Sequence, residues 1–232
     1  MHSEQSDLVL LPEMPFYTWL PVSRTANQDE WRRSVASHDR WAARLGELGA
    51  PTVMGTRPIV VEDTNYNLGF VWDSEGGEQG VHKKHYLPDE DGFWEATWYA
   101  PGGQEFTPHR TRRATVGYAI CTEMWFLQHA REYSKQGVQL LACPRATPSG
   151  TVEKWIVGGR VAAVVSGAFC LSSNFSGNAG ELGEWAGSGW IIEPEEGRLL
   201  GTTSPEAPFL TLDIDLNAAD AAKRTYPRYV LD

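Results

Sequence analysis

Apolar and polar positions follow two different rhythms along this chain. Leu8 to Leu11 form a short, continuous apolar run closed by Pro12, as in a strand buried on both faces, and Glu13 follows at once. From Asn27 to about Gly49 the apolar side chains step by three or four. Trp31, Val35, His38, Trp41, Leu45 and Leu48 make one stripe, while Arg32, Arg33, Asp39 and Arg40 mostly fall elsewhere. That spacing predicts an amphipathic helix, with Gly46 and Gly49 at its end. Thr52–Val61 and Asn67–Trp72 read as strands around the turn-like Glu62-Asp63-Thr64-Asn65, Gly76–Gly80 as a hairpin-like loop, and Val81–Leu87 as a third strand. Residues 88–112 are rich in Pro, Gly and acid and show no period; a loop of that length is uncommon unless functional.

Beyond residue 112 strands and helices alternate. Strands are expected at Thr115–Cys121, Val138–Cys143, Ala168–Ser173, Trp190–Pro194 and Leu210–Asp215. Helices are expected at Glu123–Lys135, Val152–Val165 and Ala218–Thr225, and a turn at Glu195–Gly197. Alternation of this kind argues for an α/β fold. With no repeat, low-complexity tract or linker, residues 1–232 read as a single domain.

Composition narrows the function without naming it. Hydrophobic residues make up 41% and charged residues 22%, an ordinary globular balance. The 30 acidic against 20 basic residues give a net charge of −10, which disfavours generic binding to nucleic acid or an anionic membrane. Cys121, Cys143 and Cys170 cannot all pair, and their spacing fits no zinc pattern. They read as reduced thiols in a cytoplasmic protein. No apolar run reaches the ~18 residues of a membrane span. The first residues lack the basic segment and apolar core of a secretory leader.

Few residues stand out chemically. Cys121 lies where an apolar strand gives way to a helix, close to the positive helix end that favours thiolate, with the Thr122 N–H available for a developing oxyanion. A buried cysteine also packs well as a small hydrophobe, and Cys143 and Cys170, inside apolar strands, read that way. Glu13 closes a buried strand, where a lone carboxylate needs a partner or a role. Lys83 and Lys84 occupy a strand-like run, ordinarily a solvated edge. No histidine shows ligand spacing.

Three segments together resemble the carbon–nitrogen hydrolase (nitrilase) superfamily. Asp7 to Glu13 is similar to its strand ending in Pro-Glu, Lys84 to Glu95 to its Lys-x-x-x-Pro segment, and Gly117 to Phe126 to its Gly-x-x-x-Cys segment. The order Glu, Lys, Cys and the separations between the three are of the family's kind. Matches continue through Arg131, Pro144, Asn174 and Tyr226-Pro227. The chain departs from the family in having only twelve residues before Glu13, and Thr122 where an aromatic residue is frequent.

The resemblance implies an α-β-β-α four-layer sandwich of two mixed sheets, N-terminally short, and a Glu13–Lys84–Cys121 catalytic set. Cys121 would be the nucleophile, Glu13 the base, and Lys84 with the Thr122 N–H the oxyanion holder; Glu95, eleven residues past Lys84, would orient Lys84 or Glu13. No metal or organic cofactor is implied. Members cut small-molecule amides, N-carbamoyl groups or nitriles and commonly form homodimers or larger homo-oligomers. A linear amide or carbamoyl substrate leads; a nitrile hydrolase, or an inactive binding or assembly protein on the same scaffold, is the alternative. Arg145, after a strand next to the nucleophile strand, is a candidate ligand for a substrate carboxylate.

Overall fold

The computed structural model describes residues 6–230. Contacts divide the chain into two compact units, one ending at Glu105 and one starting at Phe106.

The first unit is built on a four-stranded sheet. Its strands are β1 (Leu8–Leu10), β2 (Thr52–Val61), β3 (Thr64–Asp73) and β4 (Gly77–Lys83), in that spatial order. β1 runs parallel to β2, with Val9 opposite Val53, and the other neighbours are antiparallel, so the sheet is mixed. β2 and β3 pair over their whole length through a two-residue turn at Glu62 and Asp63, both with positive φ (48° and 60°), as a tight hairpin demands. β4 begins earlier than the sequence predicts: Gly77–Gly80 belongs to the strand, and Lys84 stands just past its end.

Helix α1 (Gln28–Ala42) starts at Asn27, whose side chain accepts from the backbone N–H groups of Asp29 and Glu30. It stops at Ala42, and Leu45–Leu48 form a separate 3₁₀ turn ended by Gly49 in the left-handed region. Leu45 packs with Val53 and Phe70 under the sheet. Trp31, Met14, Trp98 and Tyr99 form a second buried cluster. Trp98 and Tyr99 come from the segment without period, which holds one short helix, α2 (Glu95–Trp98).

The second unit has a six-stranded mixed sheet. β5 (His109–Arg110) and β6 (Thr115–Tyr118) lead to the helix α3 (Leu127–Lys135). β7 (Leu140–Arg145), α4 (Val152–Ser166) and β8 (Phe169–Asn174) follow. β9 (Ser176–Asn178) and β10 (Glu184–Ala186) pair apart as a small ribbon. β11 (Trp190–Ile192), β12 (Leu199–Thr202) and α5 (Leu216–Ala222) complete the unit. The order is β12-β11-β8-β7-β6-β5, with β6, β7 and β8 parallel at the centre and antiparallel strands on either side. Helix α4 carries Gly158 and Gly159 where it meets aromatic rings; a Cβ on Gly159 would lie 2.9 Å from the Trp190 ring.

Two expectations change here. Leu210–Asp215 is not a strand. Leu199–Thr202 takes the sheet edge instead, and the Leu210 side chain lies over Gly201 of that strand. Asp215 is a helix cap, accepting from Asn217 N at 3.0 Å. The expected helix Glu123–Lys135 is two pieces, a 3₁₀ turn over Cys121–Trp125 and then α3, separated at Phe126.

Candidate active site

The first unit gathers Glu13, Lys84 and Glu95 in its interior. Glu13 and Lys84 are fully buried, as is Glu95 at the start of α2. Lys84 Nζ donates to Glu13 Oε1 at 2.8 Å and to Glu95 Oε2 at 2.5 Å, so one ammonium bridges two carboxylates. This answers the burial problem of Glu13, because an unpaired charge in such a place would cost several kcal/mol, on the order of 3–5 when a partner is lost.

The backbone makes the meeting possible. After Pro12 the chain turns through Met14 at a φ of 45°, and Met14 N donates to Thr56 Oγ1 at 2.8 Å. Two residues on, Phe16 N donates to His38 Nε2 at 3.2 Å and Phe16 O accepts from Ser37 Oγ at 2.6 Å. Lys84 is fixed through its own backbone: its N–H donates to Asn67 O at 2.9 Å and its carbonyl accepts from Gly102 N at 2.8 Å. Gly102 is required there, since a Cβ would fall 2.1 Å from the Lys83 carbonyl oxygen. Lys83 takes the other course, its Nζ lying 4.1 Å from the centre of the Tyr66 ring.

Two further side chains join the group that sequence reasoning did not single out. Asn67 Nδ2 donates to Glu13 Oε1 at 2.8 Å. The buried Tyr99 hydroxyl donates to Glu95 Oε2 and lies against Asn67. A signal for Asn67 exists in the sequence. Asn65 and Asn67 stand in the buried phase of β3, polar residues at positions where alternation expects apolar ones.

Burial raises the carboxyl of Glu95 to about 7; Lys84 opposes the shift and Glu13 adds to it. The Tyr99 hydroxyl is pushed well above its ordinary value by burial and by Glu95 and Glu13. Among the described residues, Glu13 Oε2 and Glu95 Oε1 are buried with no hydrogen-bond partner.

The second unit presents Cys121 on a sharp elbow. β6 ends at Tyr118, Ala119 N still bonds to Ala142 O at 2.9 Å, and the chain then enters a 3₁₀ turn at Cys121. Cys121 has a φ of 47° and is 4% exposed. A residue with a Cβ in the left-handed region is strained by roughly 1–2 kcal/mol, and such strain is often kept at functional sites. Ile120 N donates to Glu123 Oε2 at 2.8 Å, and Glu123 N to Ile120 O at 3.0 Å, so buried Glu123 clamps the turn. Thr122 supplies an amide ahead of that first internal bond.

Cys143 and Cys170 are fully buried in β7 and β8, and burial pushes the Cys170 thiol up to about 11. Arg145 closes β7 but is 1% exposed. Its Nε donates to Ser172 Oγ at 2.8 Å, Nη1 to Thr147 Oγ1 at 2.7 Å and Nη2 to Ser188 O at 2.5 Å. The guanidinium also lies 4.1 Å from the centre of the Trp190 ring. It ties strand ends together in the interior. Among the described residues no group of acidic, His or Cys side chains could hold a metal ion, and no helix is long and apolar enough to cross a membrane.

The first unit thus holds a buried carboxylate–ammonium–carboxylate group, and the second holds a thiol on a strained elbow. The chain belongs to the carbon-nitrogen hydrolase family, whose model matches residues 1–224. It is 34% identical to an N-carbamoylputrescine amidase of Arabidopsis thaliana over 152 residues, 64% of this chain and 50% of that protein. It is also 34% identical to a citrullinase of Francisella tularensis over 146 residues, 61% of this chain and 50% of that protein. The chain thus spans about half the length of these curated relatives, and 39% of an N-carbamoylputrescine amidase of Solanum tuberosum. Among solved structures, a carbon-nitrogen hydrolase from Helicobacter pylori G27 superposes with a TM-score of 0.85 at 22% identity, covering 96% of this chain and 82% of that one. An amidase from Nesterenkonia sp. AN1, in a variant whose active-site cysteine has undergone Michael addition of acrylamide, matches at a TM-score of 0.72 and 17% identity over 86% of this chain and 76% of that one. These likenesses establish the α/β fold that the resemblance implied.

Proposed function

We propose that the chain hydrolyses a linear amide or a terminal N-carbamoyl group through a thioester on Cys121. The observation that carries this is the fully buried Lys84 held between Glu13 and Glu95. Two carboxylates around one ammonium form an arrangement that folding stability alone does not call for, because apolar residues of similar volume would often serve as well or better. The strained backbone of Cys121 and the names of the relatives, an N-carbamoylputrescine amidase and a citrullinase, support the same reading.

Glu13 takes the Cys121 thiol proton as the sulfur attacks the carbonyl carbon. The carbonyl electron pair moves to oxygen, where Lys84 Nζ and the Thr122 N–H stabilise it. Collapse breaks the C–N bond; Glu13 returns the proton to the departing nitrogen and ammonia leaves. Glu13 then deprotonates water, which attacks the thioester and releases a carboxylic acid and the thiol. For a carbamoyl substrate the acid is a carbamic acid, which loses carbon dioxide to leave an amine. Glu95 acts through Lys84, fixing its ammonium and balancing its charge. Arg145 is given no part in this scheme, since it is buried and each of its three nitrogens already donates within the protein, to Ser172, Thr147 and Ser188.

The test is ammonia release from a panel of N-carbamoyl amino acids and amines, aliphatic amides and nitriles. Cys121→Ala is expected to lose at least about 10³-fold in turnover, while its circular dichroism matches the parent. Turnover that persists in Cys121→Ala, or faster release from nitriles than from the matching amides, would overturn the reading.

A further inference from the structure

We infer that Asn67 is a positioning residue that divides the two oxygens of Glu13, holding Oε1 in place and leaving Oε2 to move protons. The inference rests on the reading of Glu13 as the base, and it adds a residue outside the Glu13–Lys84–Cys121–Glu95 set.

Three observations carry it. First, two donors converge on one oxygen: Asn67 Nδ2 and Lys84 Nζ both lie 2.8 Å from Glu13 Oε1. A carboxylate oxygen has two lone pairs, so Oε1 is saturated. Oε2 is equally buried and has no hydrogen-bond partner among the described residues. With Lys84 alone the carboxylate could rotate and offer either oxygen to the ammonium, which Glu95 already shares. An amide fixed on a separate strand removes that freedom.

Second, Asn67 holds both members of the pair. Its side chain binds Glu13, and its backbone carbonyl accepts from Lys84 N at 2.9 Å. The separation of the carboxylate and the ammonium is therefore set by one residue of β3. Third, Asn67 Oδ1 is buried without a hydrogen-bond partner among the described residues. An orphaned buried carbonyl destabilises the fold. A leucine would fill nearly the same volume without that cost, so what the position requires is the N–H.

Within the first unit, the described groups that interact with Glu13 are Lys84, Asn67, Glu95 and Tyr99. The consequence of losing Asn67 is read on the thiol itself, without need of the natural substrate. Acrylamide adds to a thiolate at its β-carbon and takes a proton at its α-carbon, and peptide mass spectrometry reports the rate at Cys121 apart from Cys143 and Cys170. Rates are compared from about pH 5 to 9 for the parent, Asn67→Leu, Asn67→Ser and Glu13→Gln. Glu13→Gln is expected to slow alkylation at neutral pH at least about tenfold. Asn67→Leu and Asn67→Ser are expected to slow it three- to tenfold and move the acidic limb of the profile to higher pH, since a donor favouring the charged carboxylate is gone. Asn67→Ser keeps the test open should the leucine variant fail to fold.

A parental rate and profile in the folded Asn67 variants, with Glu13→Gln slow, would overturn the role of Asn67 and leave the base intact. A lowered melting temperature with an unmoved profile would likewise reduce Asn67 to a structural residue. A parental rate in Glu13→Gln would overturn the base reading and this inference with it.

Discussion

A neutral histidine stands behind the turn that delivers Glu13. His38 Nε2 accepts from Phe16 N, which requires the proton on Nδ1, where it meets Ser34 O at 2.8 Å. Burial lowers the imidazole to about 4, with Arg57 lowering it further and Asp39 opposing. The unfolded chain takes up that proton near its ordinary value of about 6.5, so the unfolded state binds more protons between about pH 4 and 6.5. Stability contributed by neutral His38 is complete above that window and is lost as pH falls through it. Between pH 7.5 and 4.5 the parent is expected to lose about 2 kcal/mol more than His38→Gln, measured by urea denaturation; equal losses would show that His38 does not titrate with folding. At this scale the sequence was partly legible. Glu13, Lys84 and Cys121 stand in motifs with fixed spacing, and Glu95 follows from one of them. Asn67 and Tyr99 meet Glu13 and Glu95 only in space, and Glu123 bonds back to Ile120 beside Cys121. Tyr99 belongs to a segment without period, and Asn67 is marked only by its phase in β3.

Among the elements, helix α4 shows how close approach is written into a sequence. Gly159 lets the helix lie on the Trp190 ring, and Gly158 lets it meet Trp125 and Met124. Overpacking such a contact costs typically about 1–3 kcal/mol, worth roughly 2–4 °C of melting temperature per kcal/mol in a chain of this size. Gly159→Val is therefore expected to melt several degrees lower in a calorimetric scan. An unchanged melting temperature would mean that the contact is loose. The long alternating segments were legible, because hydrophobic period fixes β2, β3, β7, α4 and β8 within a few residues. The errors fall where period gives no information. Leu210–Asp215 alternates like a strand, yet β12 takes the sheet edge and Asp215 caps α5. The continuous stripe up to Leu48 hides a break after Ala42, where the chain changes to a 3₁₀ turn. The elbow reads as one helix from Glu123, whereas its first turn starts at Cys121 itself.

For the molecule as a whole, family resemblance made the fold class legible. The two mixed sheets and the superposition on a solved hydrolase agree with it. Charge and hydropathy could not have supplied that architecture, which depends on strand order. We propose that the chain self-associates. Large apolar side chains stay exposed on the second unit: Trp125 at 38%, Tyr226 at 73% and Tyr229 at 60%. Where such groups join into a contiguous patch they mark an interface. Sedimentation equilibrium at micromolar concentration is expected to give at least twice the 25.8 kDa of one chain, and Tyr226→Ser with Tyr229→Ser to weaken the association. A monomer at every concentration would sink the proposal.

The backbone of Cys121 also has a meaning for how such a chain can decay. At a φ of 47° every residue with a Cβ sits uphill, and glycine is the one replacement that relieves the turn. If Cys121 is the nucleophile proposed above, drift toward a more comfortable fold runs through loss of the thiol, and only selection for turnover opposes it. A glycine at this elbow in another chain of the same fold would be the footprint of a lineage that kept the scaffold after giving up the chemistry.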